Sequence, residues 1–157
     1  MSRIELASLG VQRVQFAALP YRVKPNGKLE FLLVTSRETH RWVVPKGWPM
    51  KQRSPSDTAK REALEEAGVR GRISSKPIGQ FSYAKRLSGD EALPCVVDVF
   101  SLRVKDERAD WPEKPQRKRQ WFTRQQAARR VQEPELRALL KAFEPPSRHK
   151  RAASRSK

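Results

Sequence analysis

Five of the seven residues from Leu29 to Thr35 (LEFLLVT) are apolar, in a nearly unbroken run. A strand with one solvated face alternates apolar and polar side chains, so this run predicts a strand buried on both faces. Arg13 to Arg22 (RVQFAALPYR) reads as a strand with an apolar middle. Pro25-Asn26-Gly27 between the two is turn chemistry, because Asn and Gly tolerate the left-handed conformations that a tight reversal needs. The chain has 157 residues, the size of one ordinary domain with a short appendage. With 37% hydrophobic and 32% charged residues, it can build a modest core under a heavily charged surface.

A short loop bearing Arg37 leads to a brief strand at Arg41 to Val44, which Pro45 stops. Lys46-Gly47-Trp48-Pro49-Met50 can be neither regular helix nor central strand. Ser54-Pro55-Ser56-Asp57 starts a helix. Ser54 fits the N-cap, Pro55 the first helical position, and Asp57 the first turn, where negative charge meets the positive end of the helix dipole. The helix is expected to run to about Ala67 and to stop at Gly68. Ile73 to Lys85 and Pro94 to Val104 read as two longer strands around a hairpin at Ser88-Gly89-Asp90. Lys105 to Gln116 is polar and proline-bearing, hence a loop, and Gln120-Trp121-Phe122 is a short strand. Thr123 with Gln126 resembles a capping box that opens a helix. Pro134 to Phe143 is amphipathic, with Leu136, Leu139, Leu140 and Phe143 on one stripe. The pattern predicts an N-terminal segment over 1–12, one domain over 13–144, and a basic tail over 145–157 with too little to bury to be ordered.

Thirty-four Lys and Arg oppose seventeen Asp and Glu, a formal net charge of +17. Five of the bases fall in Ser147 to Lys157, so most of the excess belongs to the rest of the chain. Such an excess favours polyanionic partners, whether nucleic acid, an anionic membrane surface or a small phosphate-rich ligand, without choosing among them. No apolar run approaches the roughly 20 residues of a membrane helix, and the tail from Ser147 has no bulky apolar residue to insert into a bilayer surface. No membrane partner is therefore expected. The opening MSRIELASLG lacks the apolar stretch of a secretory signal, and a cytoplasmic location is the expectation. Cys95 is the only cysteine, which leaves no intramolecular disulfide and no Cys-based zinc cluster. Between Pro94 and Val96 it reads as a small core residue; a catalytic thiol would need a partner among His40 and His149, and His149 sits in the tail.

The helix from Pro55 carries Arg61-Glu62-Ala63-Leu64-Glu65-Glu66-Ala67-Gly68-Val69. Glu62 stands three and four residues before Glu65 and Glu66, so in a regular helix the three carboxylates crowd one side and repel one another. One reading is a solvated acidic face. The other is a site for a hard divalent cation such as Mg²⁺, which takes oxygen ligands and keeps water or substrate phosphate oxygens in its shell. Arg61, one turn before Glu65, can orient that carboxylate.

Gly47-x5-Arg53-x7-Arg61-Glu62-Ala63-x-Glu65-Glu66-x-Gly68-Val69 resembles the Nudix box, Gly-x5-Glu-x7-Arg-Glu-apolar-x-Glu-Glu-x-Gly-apolar. Arg53 departs from the pattern: the family has its first Glu there, a carboxylate that supports the box rather than serving as a principal metal ligand. Arg53 reverses that charge and could instead contact phosphate. The resemblance covers roughly Arg13 to Phe143 and implies an α/β fold, the Nudix α/β/α sandwich with a mixed central sheet and the box as a loop-helix. It implies that Glu62, Glu65 and Glu66 hold one or more Mg²⁺ or Mn²⁺ ions, with backbone oxygens from the loop at Gly47. The implied chemistry is attack of a metal-activated water on a pyrophosphate bridge. Glu65 or Glu66 could double as the base. Some members draw the base from a loop beyond the sheet, where Glu113 is the candidate here; a loop glutamate without a role is the other reading.

Ser36-Arg37, then Arg41 to Gly47, and Arg117-Lys118-Arg119-x-Trp121-Phe122 are similar to the branch that hydrolyses diphosphoinositol polyphosphates and diadenosine polyphosphates. That similarity makes Ser36, Arg37, Lys46, Arg117 and Arg119 candidate substrate contacts, guanidinium forks being matched to phosphate oxygens. A solubilising run at Arg117 to Arg119 is an equal alternative. Trp48 and Trp111 could stack on a base or seal the edge of the core. A second class of function stays open, a nucleic-acid-binding module on the same fold with little or no hydrolase activity. Phosphate binding without metal would not need the Glu62, Glu65 and Glu66 triplet, and the triplet would repel it.

Overall fold

The computed structural model of the chain describes residues 13–146. The expected segment over 1–12, and the expected tail apart from its first two residues, lie outside the described residues. At the centre, β1 (Arg13–Val23) runs parallel to β7 (Ala92–Glu107), with Arg13 to Tyr21 pairing Cys95 to Arg103. The other side of β1 is shared between two antiparallel partners. Phe16 and Ala17 meet β4 (Lys46–Gly47), and Tyr21 to Val23 meet the start of β2 (Leu29–Thr35). β2 also carries β3 (Trp42–Val43) and β8 (Arg119–Thr123), while β7 carries β5 (Val69–Ile73) and β6 (Gly79–Arg86), all antiparallel.

Successive side chains of a strand point to opposite faces, and here both faces are covered. Ala18, Leu32, Val34, Phe100 and Leu102 face α1 (Pro55–Glu62) and the turn that follows it. Ala17, Leu19, Phe31, Leu33, Val97 and Val99 face α2 (Arg124–Arg130) and α3 (Pro134–Ala142). The fold is an α/β/α sandwich on a mixed sheet, and the apolar run of β2 is divided between its two cores. Ala59, Ala63 and Ala67 are fully buried, a stripe of small side chains that brings the carboxylate helix close to the sheet. The caps are those read from the sequence: Ser54 Oγ accepts the Asp57 N–H at 3.1 Å, and Thr123 and Gln126 form a reciprocal capping box. Among the described residues, no helix is long and apolar enough to cross a membrane.

The expected single strand from Ile73 to Lys85 is corrected to two. β5 ends at Ile73 and β6 begins at Gly79. β5 (VRGRI) escaped notice because a glycine interrupts its charged alternation. That glycine, Gly71, follows a register shift and lies so close to the Arg103 carbonyl that a side chain there would collide with it. β7 likewise continues past Val104 into the expected loop, because Asp106 and Glu107 pair with Arg70 and Val69. Lys46 and Gly47 form a two-residue strand against β1.

Phe143 closes α3 onto the sheet: only 7% exposed, its ring meets those of Tyr21 and Phe31 edge-on at 5.0 and 5.8 Å. Phe143→Ala is expected to cost about 3–5 kcal/mol in urea unfolding. A loss under about 1 kcal/mol would show that this ring does not anchor the helical layer.

Candidate functional site

The regular helix expected as far as Ala67 does not persist that far. After Glu62 the chain winds into a single π-helical turn, Ala63–Ala67, in which the Gly68 N–H reaches back to the Ala63 and Leu64 carbonyls. Gly68 ends the turn at φ +69°, and a side chain there would strike Arg119 and Trp111. Glu62 and Glu66 turn inward, each 8% exposed, while Glu65 stays at the rim with Oε1 2.9 Å from Arg61 Nε.

A helix end leaves its last carbonyls without partners, and the segment between β7 and β8, with the first residue of β8, supplies them. The Glu113 N–H donates to the Glu65 carbonyl at 3.0 Å, and Trp111 Nε1 to Glu66 at 3.0 Å. Arg119 Nη1 donates to Ala67 at 2.9 Å, and the Arg108 N–H to Gly68 at 2.8 Å. Arg119 also stacks on the Trp111 ring, 4.0 Å from its centroid, and holds the Arg108 carbonyl at 2.6 Å. This segment therefore docks on the carboxylate turn as its cap. Of the readings open for Trp111, sealing the structure is the one its contacts fit.

Glu62 lies flat against Gly47, where a side chain would fall on its carboxylate. Burial, then the neighbouring charges of Glu66, Glu65 and Glu113, push its pKa up to about 8. Among the described residues, no hydrogen bond or ion pair reaches this carboxylate. Glu66 is better served: Oε1 accepts the Lys46 N–H at 3.2 Å and Oε2 lies 3.2 Å from Arg117 Nη2, yet burial still raises its pKa. Two crowded carboxylates, one of them unpaired, fit a hard divalent cation. No group of three or more acidic, His or Cys side chains among the described residues is already gathered to hold one. Glu62 and Glu66 would therefore be joined by backbone, water or phosphate oxygens, which is how Mg²⁺ is commonly held.

The candidate substrate residues divide. Arg117 and Arg119 donate to the protein's own carboxylates and carbonyls. Arg53, exposed at the helix start, pairs with Asp57 at 2.9 Å. Ser36 Oγ builds the turn after β2, accepting the Arg41 N–H at 3.1 Å, and Arg37 stands exposed on that turn. An open cleft of about 640 Å³ lies nearby, lined by Trp42, Trp111, Lys114, Arg117, Lys118 and Arg119 among others, so both arginines still reach its surface. The Lys46 ammonium sits over the Tyr83 ring at 5.1 Å, between Glu66 and the Arg41–Glu133 pair; burial holds its pKa down to about 8. Next to it, Arg13 and Lys85 flank the Trp48 ring at 5.4 and 5.9 Å. Tyr83 and Lys85 were missed in the sequence. Their period-two spacing with Phe81 on β6 marks one face of a strand, but not that this face meets Lys46.

Arg119→Ala would leave the Ala67 and Arg108 carbonyls without donors and unstack Trp111. It is expected to cost about 1–3 kcal/mol in urea unfolding; an unchanged midpoint would show that the cap is not held by this side chain.

Residues 12–143 match the NUDIX domain family. Nudix hydrolase 12, mitochondrial, of Arabidopsis thaliana is 40% identical over 103 residues, 64% of this chain and 51% of that protein. Diphosphoinositol polyphosphate phosphohydrolase 3-alpha of Mus musculus is 34% identical over 106 residues, 66% of this chain and 60% of that protein. The chain thus spans only about half to two thirds of the length of these relatives. A C. elegans Ap4A hydrolase binary complex shares the fold, with a TM-score of 0.60 and 23% identity over 82% of this chain and 93% of that one. The buried acidic turn, the glycine under it and a match that runs nearly the whole length of the domain agree: the chain belongs to the Nudix domain family.

Proposed function

We propose that the chain is a metal-dependent pyrophosphohydrolase. Its substrate would be a phosphoanhydride in a polyphosphorylated small molecule of the diadenosine polyphosphate or diphosphoinositol polyphosphate kind. The observation that carries this reading is the pair Glu62 and Glu66, two neighbouring buried carboxylates, with Glu62 pressed against Gly47. The names of the mouse and C. elegans relatives support the substrate class. A nucleic-acid-binding module would have no use for this pair, which repels phosphate.

A bound Mg²⁺ or Mn²⁺ would lower the pKa of water and neutralise charge on the phosphates. Glu62 and Glu66 would hold it, with Glu65 at the rim under the control of Arg61. The proton lost by the attacking water passes to a carboxylate, drawn from Glu65, Glu66 or Glu113. Phosphate recognition would fall to Arg37 and Ser36 at one edge, to Lys46 beneath the site, and to Arg117 and Arg119 where they line the open cleft. Lys46 makes no direct ion pair among the described residues, and its ammonium over the Tyr83 ring would be the donor to a phosphate oxygen.

Hydrolysis of diadenosine tetraphosphate and of a diphosphoinositol polyphosphate, with and without Mg²⁺ or Mn²⁺, tests the reading. Glu62→Gln is expected to cut the metal-dependent rate at least about 10²-fold, and an undiminished rate would refute the metal role. Arg37→Ala is expected to raise KM most for the substrate with the most phosphates, by about tenfold for a lost charge-assisted pair. An equal loss across substrates would exclude that contact.

A further inference from the structure

α2 and α3 cover the face of the sheet away from Glu62 and Glu66, and between them lies a second open groove of about 550 Å³. Arg124, Gln125, Ala128 and Arg129 line it from α2, and Arg137 and Lys141 from α3. Residues 124–144 hold five bases and three acids, but two of the acids are turned toward the sheet. Glu133 pairs with Arg41 at 2.8 Å, and Glu135 accepts the Ser82 N–H at 2.7 Å. Among the described residues only Glu144 pairs with a groove cation, 81% exposed and 3.5 Å from Arg124. Two of the four cations are fixed in place. Arg137 donates from Nε and Nη2 to the Ala128 and Val131 carbonyls at 2.9 Å each. Arg124 donates from Nη1 to the Leu140 and Phe143 carbonyls at 2.7 Å each. Each guanidinium keeps its charge and its remaining N–H groups, and has little rotamer freedom left to lose when an anion arrives. The other two, Arg129 and Lys141, are exposed and make no ion pair or hydrogen bond among the described residues.

We propose that this groove binds the phosphodiester backbone of a single-stranded nucleic acid without reading its bases. No aromatic or large aliphatic side chain lines it, whereas protein partners and small ligands are held by such anchors. The exposed large apolar side chain among the described residues is Val14, on β1, so the groove has nothing to insert into a bilayer. The same lack of rings removes the platform on which bases stack, which leaves phosphates as the part of the strand that is held. A rigid duplex would meet only the rim, while a single strand can follow the groove down to the fixed arginines. Lys141 follows Arg137 by about one helical turn, roughly 6 Å along the axis, so both can meet neighbouring phosphates of one strand. The basic surface also has a continuation. Arg124 holds the Phe143 carbonyl, so the chain leaves α3 beside the groove, and Ser147 to Lys157 adds five bases and no acid. The site requires no metal and lies across the sheet from the carboxylates, so it stands independently of the hydrolase reading.

The test is fluorescence anisotropy on the full chain, in EDTA, with labelled oligouridylate and oligoadenylate of about 20 nucleotides. The two oligomers should bind with affinities within about twofold of each other, since no base is read. Arg124 and Arg137 are left intact because they tie the two helices together. Arg129→Gln/Lys141→Gln should weaken both oligomers at least about tenfold and lower the slope of log affinity against log salt by about 1.4, the value for two lost contacts to a single strand. Arg72→Gln/Lys105→Gln makes the same change of net charge on exposed bases of β5 and β7, and should weaken binding less than about twofold. Changing Arg148, Lys150, Arg151, Arg155 and Lys157 together to Gln should weaken binding but preserve the further loss from the groove substitutions. Glu62→Gln should leave oligomer affinity as it is, and Arg129→Gln/Lys141→Gln should leave the melting temperature and any hydrolysis of diadenosine tetraphosphate as they are. Equal losses in the groove and strand variants, or groove substitutions without effect once the tail is neutral, would overturn the proposal. So would a tenfold preference for one oligomer, or groove substitutions that release phosphatidylserine vesicles while the oligomers stay bound. A wild type that binds the oligomers but hydrolyses neither substrate class would count against the hydrolase reading alone.

Discussion

Two carboxylates cannot be withdrawn from water side by side unless something positive is arranged around them. Much of the domain is built to satisfy that condition at Glu62 and Glu66. β4 supplies the Lys46 N–H and the bare backbone of Gly47, β2 supplies the Thr35 carbonyl that steadies Arg117, and the segment before β8 supplies Arg117 itself. These pieces are far apart in sequence and meet because β1 lies between β4, β2 and β7. Among the described residues, Glu62 gets no direct donor, only the more distant charge of Arg117, and its carboxylate is where a divalent cation would add most.

The positive excess of the chain has an inward use as well as an outward one. Arg119 caps the π-turn, Arg124 donates to the Leu140 and Phe143 carbonyls at 2.7 Å each, and Arg137 donates to Ala128 and Val131 at 2.9 Å each. The last two are reciprocal, since each helix of the second layer sends an arginine to the end of the other. A cation at a helix C-terminus also opposes the negative end of the dipole. Part of the charge that favours polyanionic partners in the composition is therefore already spent on carbonyls, and the arginines left for a ligand are fewer than the count suggests.

Signals that act within a few residues were legible in the sequence. The Ser54 cap, the stop at Gly68, the Thr123–Gln126 box and the strand buried on both faces all appear where local chemistry places them. The Gly47-to-Gly68 spacing also identified the turn that carries the acids. What escaped were features set by partners across the fold. The π-turn is maintained by donors more than forty residues downstream, and β5 exists because β7 offers it an edge. Arg117 and Arg119 read as phosphate contacts or a solubilising run; their bonds to the protein's own carboxylates and carbonyls escaped notice, because guanidinium groups near such acceptors leave no sequence mark.

The parallel pairing of β1 with β7 has a consequence for how the chain is made. A strand synthesised first finds its principal neighbour only when residues 95–103 have emerged, and β2 waits still longer for β8. Local hairpins can form early, but the central ladder closes a loop of some eighty residues, a step whose entropic cost slows folding. The nascent domain therefore carries the apolar edges of β1 and β2 unpaired through most of its translation, when contact with other chains is most hazardous. The charged residues at and just beyond the ends of β1, Arg13, Arg22 and Lys24, stand where gatekeepers against such encounters would be placed.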